Sequence, residues 1–340
     1  MINSNFGFTP LKEVWLGDCY PQSFYDHLPN EIADPFRIIT EWTKQDLNQV
    51  QRFLEQQGIV VRRPQFDAID FYLDANDNLV KPPITPRDDY LVLGQTLYSL
   101  HHYIDKPDMW HHTLSDYQSQ GYDVRTPKDQ PINCLSPPSL VRVGKYLYLD
   151  TESHQHIWGY LCEWIVETSK DYRVNICNTL GHSDAVFCPI KPGVIASSHY
   201  KADYSQSFPG WEIFKIPDAT FNNSGWLNNW KVSHPDVDNN KTFDKYIQEV
   251  AAEWVGDFKE TVYEVNMLVV DQHNVIAMKE YPPLVKYLES VGVTTHLFDF
   301  RTRSFWDGGW HCLTLDIHRE DTKTDLFPER GENGVYWRLK

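Results

Sequence analysis

A pattern of hairpin, helix and strand recurs along this chain, and it constrains the fold more than any single motif. Two short apolar runs joined by a tight turn precede an amphipathic stretch, and a third apolar run follows. The unit is read at residues 140–176, more weakly at 186–213, and again at 267–300. Runs such as Leu140-Val141-Arg142-Val143 and Met267-Leu268-Val269-Val270 suit strands, whereas Ile157, Leu161, Trp164 and Ile165 fall on one face of a helix. The repetition is of pattern rather than of residues. No linker divides the chain, so residues 1–340 are expected to form a single α/β domain with pseudo-repeats around a central cleft.

Outside the repeats, Pro10-Leu11-Lys12-Glu13-Val14-Trp15-Leu16-Gly17 reads as a short strand-like run ended by glycine. A helix is expected from Asp34-Pro35, with Ile38, Ile39, Trp42, Leu47, Val50 and Leu54 on one face up to Gly58. Strands are expected at Ile59-Val60-Val61, Tyr90–Gly94 and Thr96–Tyr98. The stretch 104–133, rich in Asp, Pro, Gln and His, reads as a loop that could form a lid, and 197–240 as polar surface loop.

Net charge is -16, so a nucleic-acid backbone or an anionic membrane would be repelled; a cationic small substrate is the better fit. No run approaches the roughly 18 apolar residues of a membrane span. The N-terminal Met1-Ile2-Asn3-Ser4-Asn5 has no basic region followed by an apolar run, so no signal peptide is expected. The six cysteines (Cys19, Cys134, Cys162, Cys177, Cys188, Cys312) form no C-x-x-C pair and read as free thiols in a reducing, cytoplasmic compartment. His111-His112, His154 and His156 lie in polar segments without a recognisable ligand set, so no metal and no cofactor is expected. His101-His102 is a better candidate for lining a cleft.

The chemistry-bearing stretch is Ser304-Phe305-Trp306-Asp307-Gly308-Gly309-Trp310-His311-Cys312, which delivers a thiol onto the start of an alternating run, Leu313, Leu315, Ile317. A lone intracellular cysteine is more often a buried core residue than a nucleophile. Asp88, His182 and Asp184 stand in other loops at strand edges. A thiol near its reference pKa of roughly 8.5 is only a few per cent ionised at neutral pH, so a nucleophile needs a nearby cation. Histidine can protonate a leaving amine, and carboxylates pair with a guanidinium in bidentate fashion. These four side chains allow cysteine chemistry on a cationic substrate; they would equally fit a thiol protease, or no site at all. Trp306 and Trp310 either wall a cleft or are packed.

The chain resembles the glycine amidinotransferase branch of the guanidino-group-modifying enzymes, collinearly over nearly its whole length. The resemblance rests on Pro10-Leu11-Lys12-Glu13-Val14, Pro86-Arg87-Asp88 with Leu91-Val92-Leu93-Gly94, Arg142-Val143-Gly144, Asp171-Tyr172-Arg173-Val174, His182-Ser183-Asp184, Asn266–Asp271 and Gly308-Gly309-Trp310-His311-Cys312. It implies the pentein fold: an α/β-propeller with pseudo-fivefold ββαβ repeats around a central active-site cleft. It implies an amidinotransferase that moves an amidino group from L-arginine, or a related guanidino donor, to an amine acceptor, in specialised metabolite biosynthesis. Cys312 matches the nucleophile that forms an amidino-cysteine intermediate in a ping-pong reaction. His182 matches the general acid/base, and Asp88 and Asp184 match the carboxylates that grip the guanidinium. The resemblance implies no cofactor, and a homodimer is compatible with it.

Three positions depart from the pattern. Ser136, in Leu135-Ser136-Pro137-Pro138-Ser139, sits where the family has the Asp that orients the histidine. A hydroxyl can accept a hydrogen bond but stabilises an imidazolium less than a carboxylate does; in a serine-protease triad the equivalent neutralisation costs about 10⁴ in rate. Lys201 falls near a family arginine that binds the substrate carboxylate, keeping the charge without the fork geometry. Glu264 stands just before Asn266, where an extra carboxylate would suit a cationic donor or acceptor. The alternatives are a guanidino hydrolase, with water as second nucleophile, and a guanidino-binding protein without catalysis.

Overall fold

Alternating apolar runs need partners for their backbone N–H and C=O groups, and this chain finds them three strands at a time. The computed structural model describes residues 1–100, 108–125, 135–151, 158–179, 182–198, 204–216, 230–255, 264–278, 281–330 and 336–338. In chain order the elements are β1 (Leu11–Leu16), α1 (Asn30–Gln56), β2 (Val60–Arg62), α2 (Pro86–Asp89), β3 (Tyr90–Leu93), β4 (Thr96–Ser99), α3 (His111–Ser119) and β5 (Asp123–Arg125). Next come β6 (Leu140–Val143), β7 (Tyr146–Asp150), α4 (Trp158–Thr168), β8 (Arg173–Asn178), β9 (Phe187–Lys191), β10 (Val194–Ser198) and β11 (Glu212–Ile216). The last are α5 (Pro235–Asp238), α6 (Lys241–Glu249), β12 (Leu268–Asp271), β13 (Asn274–Ala277), α7 (Pro282–Ser290), β14 (Thr294–Leu297), α8 (Arg303–Trp306), β15 (Thr314–Arg319) and β16 (Tyr336–Arg338).

The strands form five small separate sheets with one shared grammar. In each, two strands pair antiparallel and the second of them pairs parallel with a third: β3-β4-β5, β6-β7-β8, β9-β10-β11, β12-β13-β14 and β15-β1-β2. A parallel pairing needs a crossover, and α3, α4, α7 and α1 supply it in four of the five. The last sheet is assembled from both chain ends: β15 lies against β1, and Arg319 N donates to Asn3 O at 2.7 Å. β16 adds a fourth strand parallel to β8. The expected α/β class and repeats are present, two more units than the sequence pattern suggested. Among the described residues no sheet closes on itself.

Three expectations are corrected. The 104–133 stretch holds α3 and β5, because Trp110, Thr113, Leu114 and Tyr117 make a buried face on the polar segment; Trp110 stacks on Trp15 with ring centroids 4.2 Å apart. Within 197–240, β11 pairs with β10 and α5 caps on His234, so that stretch is not all loop. α1 begins at Asn30 rather than Asp34, and Pro35 lies inside it near the start, where one lost backbone hydrogen bond is tolerated. Pro189 sits in β9, an edge strand, where a missing N–H does least harm.

Candidate active site

Cys312 is placed by its own loop. α8 ends at Asp307 in the left-handed region (φ 48°), Gly308 and Gly309 follow, and β15 starts at Thr314. A Cβ on Gly309 would lie 2.4–2.5 Å from Asn266 side-chain and carbonyl atoms, so only glycine allows this approach. That approach brings Asn266 onto the cysteine. Asn266 Nδ2 donates to Cys312 Sγ at 3.0 Å, and Cys312 N donates to Asn266 Oδ1 at 3.1 Å. The thiol is 4% exposed, and Asn266 is fully buried.

Two carboxylates stand beside the thiol. Asp184 lies in a 3-10 turn (Ser183–Ala185) whose N-cap is His182. Asp88 lies in α2, which opens on Pro86 at the first turn, where a missing N–H costs nothing. α2 packs against β15 and against the Pro137–Ser139 turn, which also touches the Asp184 turn. Thus three loops converge on Cys312. Asp184 Oδ2 accepts from His311 Nδ1 at 2.7 Å, while Asp184 Oδ1 is buried with no hydrogen-bond partner. Native structures rarely leave a buried carboxylate oxygen unpaired, so this atom marks a place for a donor.

The charges follow from this geometry. Burial pushes the Cys312 thiol well above its ordinary value, and Asp184 and Asp88 add to the effect; the Asn266 hydrogen bond and Arg87 oppose it. Burial raises the Asp88 carboxyl, against the charges of Lys81 and His182 and a hydrogen bond from Thr85. Burial would raise Asp184 too, but the His311 hydrogen bond and the nearby His311, His182 and Arg87 charges bring it below the usual value. Burial, aided by Arg87, lowers His311. The consistent state is an ionised Asp184 accepting from His311 Nδ1–H.

A buried ion cluster fixes the loop from behind. Arg87 Nε donates to the carbonyls of His311 (2.8 Å) and Thr314 (3.0 Å), which flank Cys312 in sequence. Arg87 also pairs with Asp316 at 2.8 Å, as do Arg142 (3.2 Å) and Arg319 (2.8 Å). Three guanidinium groups around one carboxylate hold the Asp316 carboxyl far below the usual range even though burial opposes this. Burial pulls Arg142 down to about 10.

The structure thus gathers Cys312, Asp88, Asp184 and, within electrostatic reach of both carboxylates, His182. Ser136 caps the turn that touches both the Asp88 and the Asp184 elements, and Glu264 sits half-buried two residues before Asn266; neither is free of partners, nor is His182. Lys201 and His101-His102 lie outside the described residues, as do Cys134, His154 and His156. Cys19, Cys162, Cys177, Cys188 and Cys312 are free thiols. Trp306 and Trp310 are packed rather than cleft-lining: both are buried, their indole N–H groups donating to Thr43 and to the Phe298 carbonyl. The sequence reading missed Asn266, Arg87, His311 and Asp316 as parts of the site. Asn266 and Arg87 stood within the motifs it used, but nothing in their spacing says which side chain they touch.

No protein-family model matches the chain. It is 21% identical to a mitochondrial glycine amidinotransferase of Gallus gallus, over 92% of this chain and 74% of that protein. It is 25% identical to inosamine-phosphate amidinotransferase 1 of Streptomyces glaucescens, over 87% of this chain and 86% of that one. Among solved structures, an amidinotransferase of the saxitoxin biosynthetic pathway from Microseira wollei superposes with a TM-score of 0.66 at 18% identity, covering 96% of this chain and 99% of that one. No helix among the described residues is long and apolar enough to cross a membrane. The homologues of this chain are amidinotransferases, and its α/β fold is the one found in solved amidinotransferase structures.

Proposed function

We propose that the chain is an amidinotransferase that takes an amidino group from L-arginine, or a related guanidino donor, onto Cys312 and passes it to an amine acceptor in specialised metabolite biosynthesis. The observation that carries this reading is Asp184 Oδ1: a buried carboxylate oxygen, without a partner, beside a cysteine held by Asn266. A guanidinium N–H fills such a position, and Asp88 offers a second carboxylate to the same cation.

The reaction follows from these groups. With the donor cation between Asp88 and Asp184, the Cys312 proton that the two carboxylates had favoured passes to His182, and Sγ attacks the guanidinium carbon. His182 delivers a proton to the departing amine as its C–N bond breaks, leaving an S-amidino-cysteine. The acceptor amine then attacks the same carbon, His182 takes its proton, the C–S bond breaks, and His182 returns that proton to sulfur, restoring the thiol. Asn266 Nδ2 donates to sulfur throughout, and Arg87 holds the loop through the carbonyls on either side of Cys312. Glu264 faces a cationic group of donor or acceptor, Lys201 meets the substrate carboxylate, and Ser136 supports His182 as a hydrogen-bond acceptor. Residues 1–340 act as one domain whose five units surround the cleft as a pseudo-fivefold propeller, working in the cytoplasm and compatible with a homodimer.

Incubation with guanidino-labelled arginine and a panel of amines, read by mass spectrometry, tests the reading. The label should reach the Cys312 peptide without acceptor and move to product with one. Activity that survives Cys312→Ala would sink it, and release of a ureido product without acceptor would make the chain a hydrolase.

A further inference from the structure

Three side chains outside the candidate active site converge near the surface. His111 Nε2 lies 2.9 Å from Asp67 Oδ2, and His112 Nε2 lies 3.0 Å from Asp67 Oδ1. One ligating atom from each of the three falls within 4.8 Å of the others. The histidines open α3, and Asp67 precedes the 3-10 turn Ile69–Tyr72.

The orientation of His111 decides how this cluster is read. Its Nδ1 is 2.8 Å from the main-chain oxygen of Asp108. A carbonyl oxygen only accepts, so Nδ1 carries a proton and donates, and Nε2 is left presenting a lone pair. That lone pair faces a carboxylate oxygen at 2.9 Å, and Asp67 Oδ2 is buried with no hydrogen-bond partner. A cation shared between the two atoms turns repulsion into ligation. An imidazole whose remote N–H rests on a backbone carbonyl is also the usual support for a metal-bound histidine.

We propose that Asp67, His111 and His112 bind a divalent transition-metal ion of the zinc class, with water completing its shell. Two imidazoles and one carboxylate favour zinc, nickel, cobalt or copper over calcium and magnesium, which take oxygen ligands. The two imidazole nitrogens sit against different Asp67 oxygens, at 2.9 and 3.0 Å, and one ligand atom from each residue lies within 4.8 Å of the others, so modest side-chain rotation brings the set to the ~3.3 Å edges of a tetrahedron built on metal bonds of about 2 Å. The three side chains are 32–40% exposed, so an ion can enter, and the net charge of -16 draws cations toward the protein. The ion would clamp the 66–72 segment to α3, in parallel with the Arg62–Asp116 pair at 3.3 Å. It would also steady Asp108, which accepts from the Tyr90 hydroxyl and, at 3.0 Å, from Ser99. The ion is structural; it takes no part in the proposed transfer.

The test is calorimetric titration of chelator-treated protein with Zn²⁺, done in a Cys312→Ala background so that this thiol does not compete. Co²⁺ serves as the spectroscopic reporter. One equivalent should bind, raise the melting temperature, and show mixed nitrogen and oxygen ligation in the Co²⁺ spectrum. His111→Ala should weaken it by ~100-fold or more, and His112→Gln, at the exposed rim, by at least ~10-fold. If His111→Ala does not fold, His112→Gln and Asp67→Asn decide. Absence of binding, or binding that His112→Gln and Asp67→Asn leave unchanged, overturns the proposal.

Discussion

Asn266→Ala removes two contacts at once, and they have different consequences. The Nδ2–H to Sγ contact of 3.0 Å becomes a charge-assisted hydrogen bond when the cysteine ionises. Hydrogen bonds to charged groups contribute about 1.5–3 kcal/mol net. At 1.36 kcal/mol per pKa unit, its loss should raise the Cys312 ionisation by about 1–2 units. The thiolate fraction at neutral pH then falls about 10–100-fold, and kcat/KM for adduct formation falls with it. The second contact, Cys312 N to Oδ1, satisfies a buried amide, so its loss should cost about 1–3 kcal/mol of stability.

Asn266→Asp separates the two effects. A carboxylate still accepts from Cys312 N but cannot donate to sulfur and adds negative charge, so it should keep most of the stability and shift the thiol further. The assay is the pH dependence of Cys312 modification by iodoacetamide, beside urea melts. Asn266→Ala with a modification midpoint within a few tenths of a pH unit of the unsubstituted protein would refute the reasoning. Asn266 would then be packing only.

Four other outcomes follow from the same geometry. Gly309→Ala should inactivate and destabilise, because its Cβ meets the Asn266 backbone carbonyl at 2.5 Å and Asn266→Ala cannot relieve that contact; circular dichroism melts and transfer assays check it. Asp316→Asn should cost about 3–5 kcal/mol, since Arg87, Arg142 and Arg319 lose their shared counter-charge; chemical denaturation measures it. A carboxyl held down in the folded state contributes stability above its unfolded pKa of roughly 4 and loses it as pH falls, so the gap between the two proteins should narrow on acidification. Burial raises the Asp88 carboxyl, so donor KM should climb on acidification at a pH above roughly 4, and Asp88→Asn should abolish that inflection. An inert guanidinium ligand should increase the thiolate ultraviolet signal of Cys312 at fixed pH; an unchanged or weaker signal would contradict the proposed order of events.

How far the sequence reveals this molecule depends on the range of the interactions. Hairpins such as Leu140–Asp150 and Phe187–Ser198 are legible because strand period and turn chemistry are local. The sheet joining β15 to β1 is not, since its strands lie at opposite ends of the chain. α3 is hidden because its apolar face is completed by Trp110, a residue outside the helix, stacking on Trp15 from β1. At the site, Cys312, Asp88 and Asp184 were named through a resemblance of motifs, which carries chemistry but no distances. The Asn266 clamp, the His311–Asp184 bond and the pairs of Arg87 and Arg142 with Asp316 are contacts across 46 to 229 positions that no periodicity encodes. The same holds for Asp67, 44 residues before His111 by their numbering: the adjacent histidines look unpartnered until the fold brings the carboxylate to them.

The electrostatics of the free site look wrong for a nucleophile, and that mismatch is informative. Burial, Asp184 and Asp88 all act against the Cys312 thiolate, and only Asn266 and Arg87 among the named causes favour it. A protein that merely stored a reactive thiol would surround it with cations. Here the largest fixed charges beside the sulfur are negative, and one of their oxygens is left unpaired. Both features are relieved by the same object, a planar cation with several N–H donors. Such a cation neutralises the field that keeps the proton on sulfur, and it places an electrophilic carbon beside that sulfur. In the proposed reaction one binding event then produces both nucleophile and electrophile, and the resting thiol stays protonated and slow to oxidise.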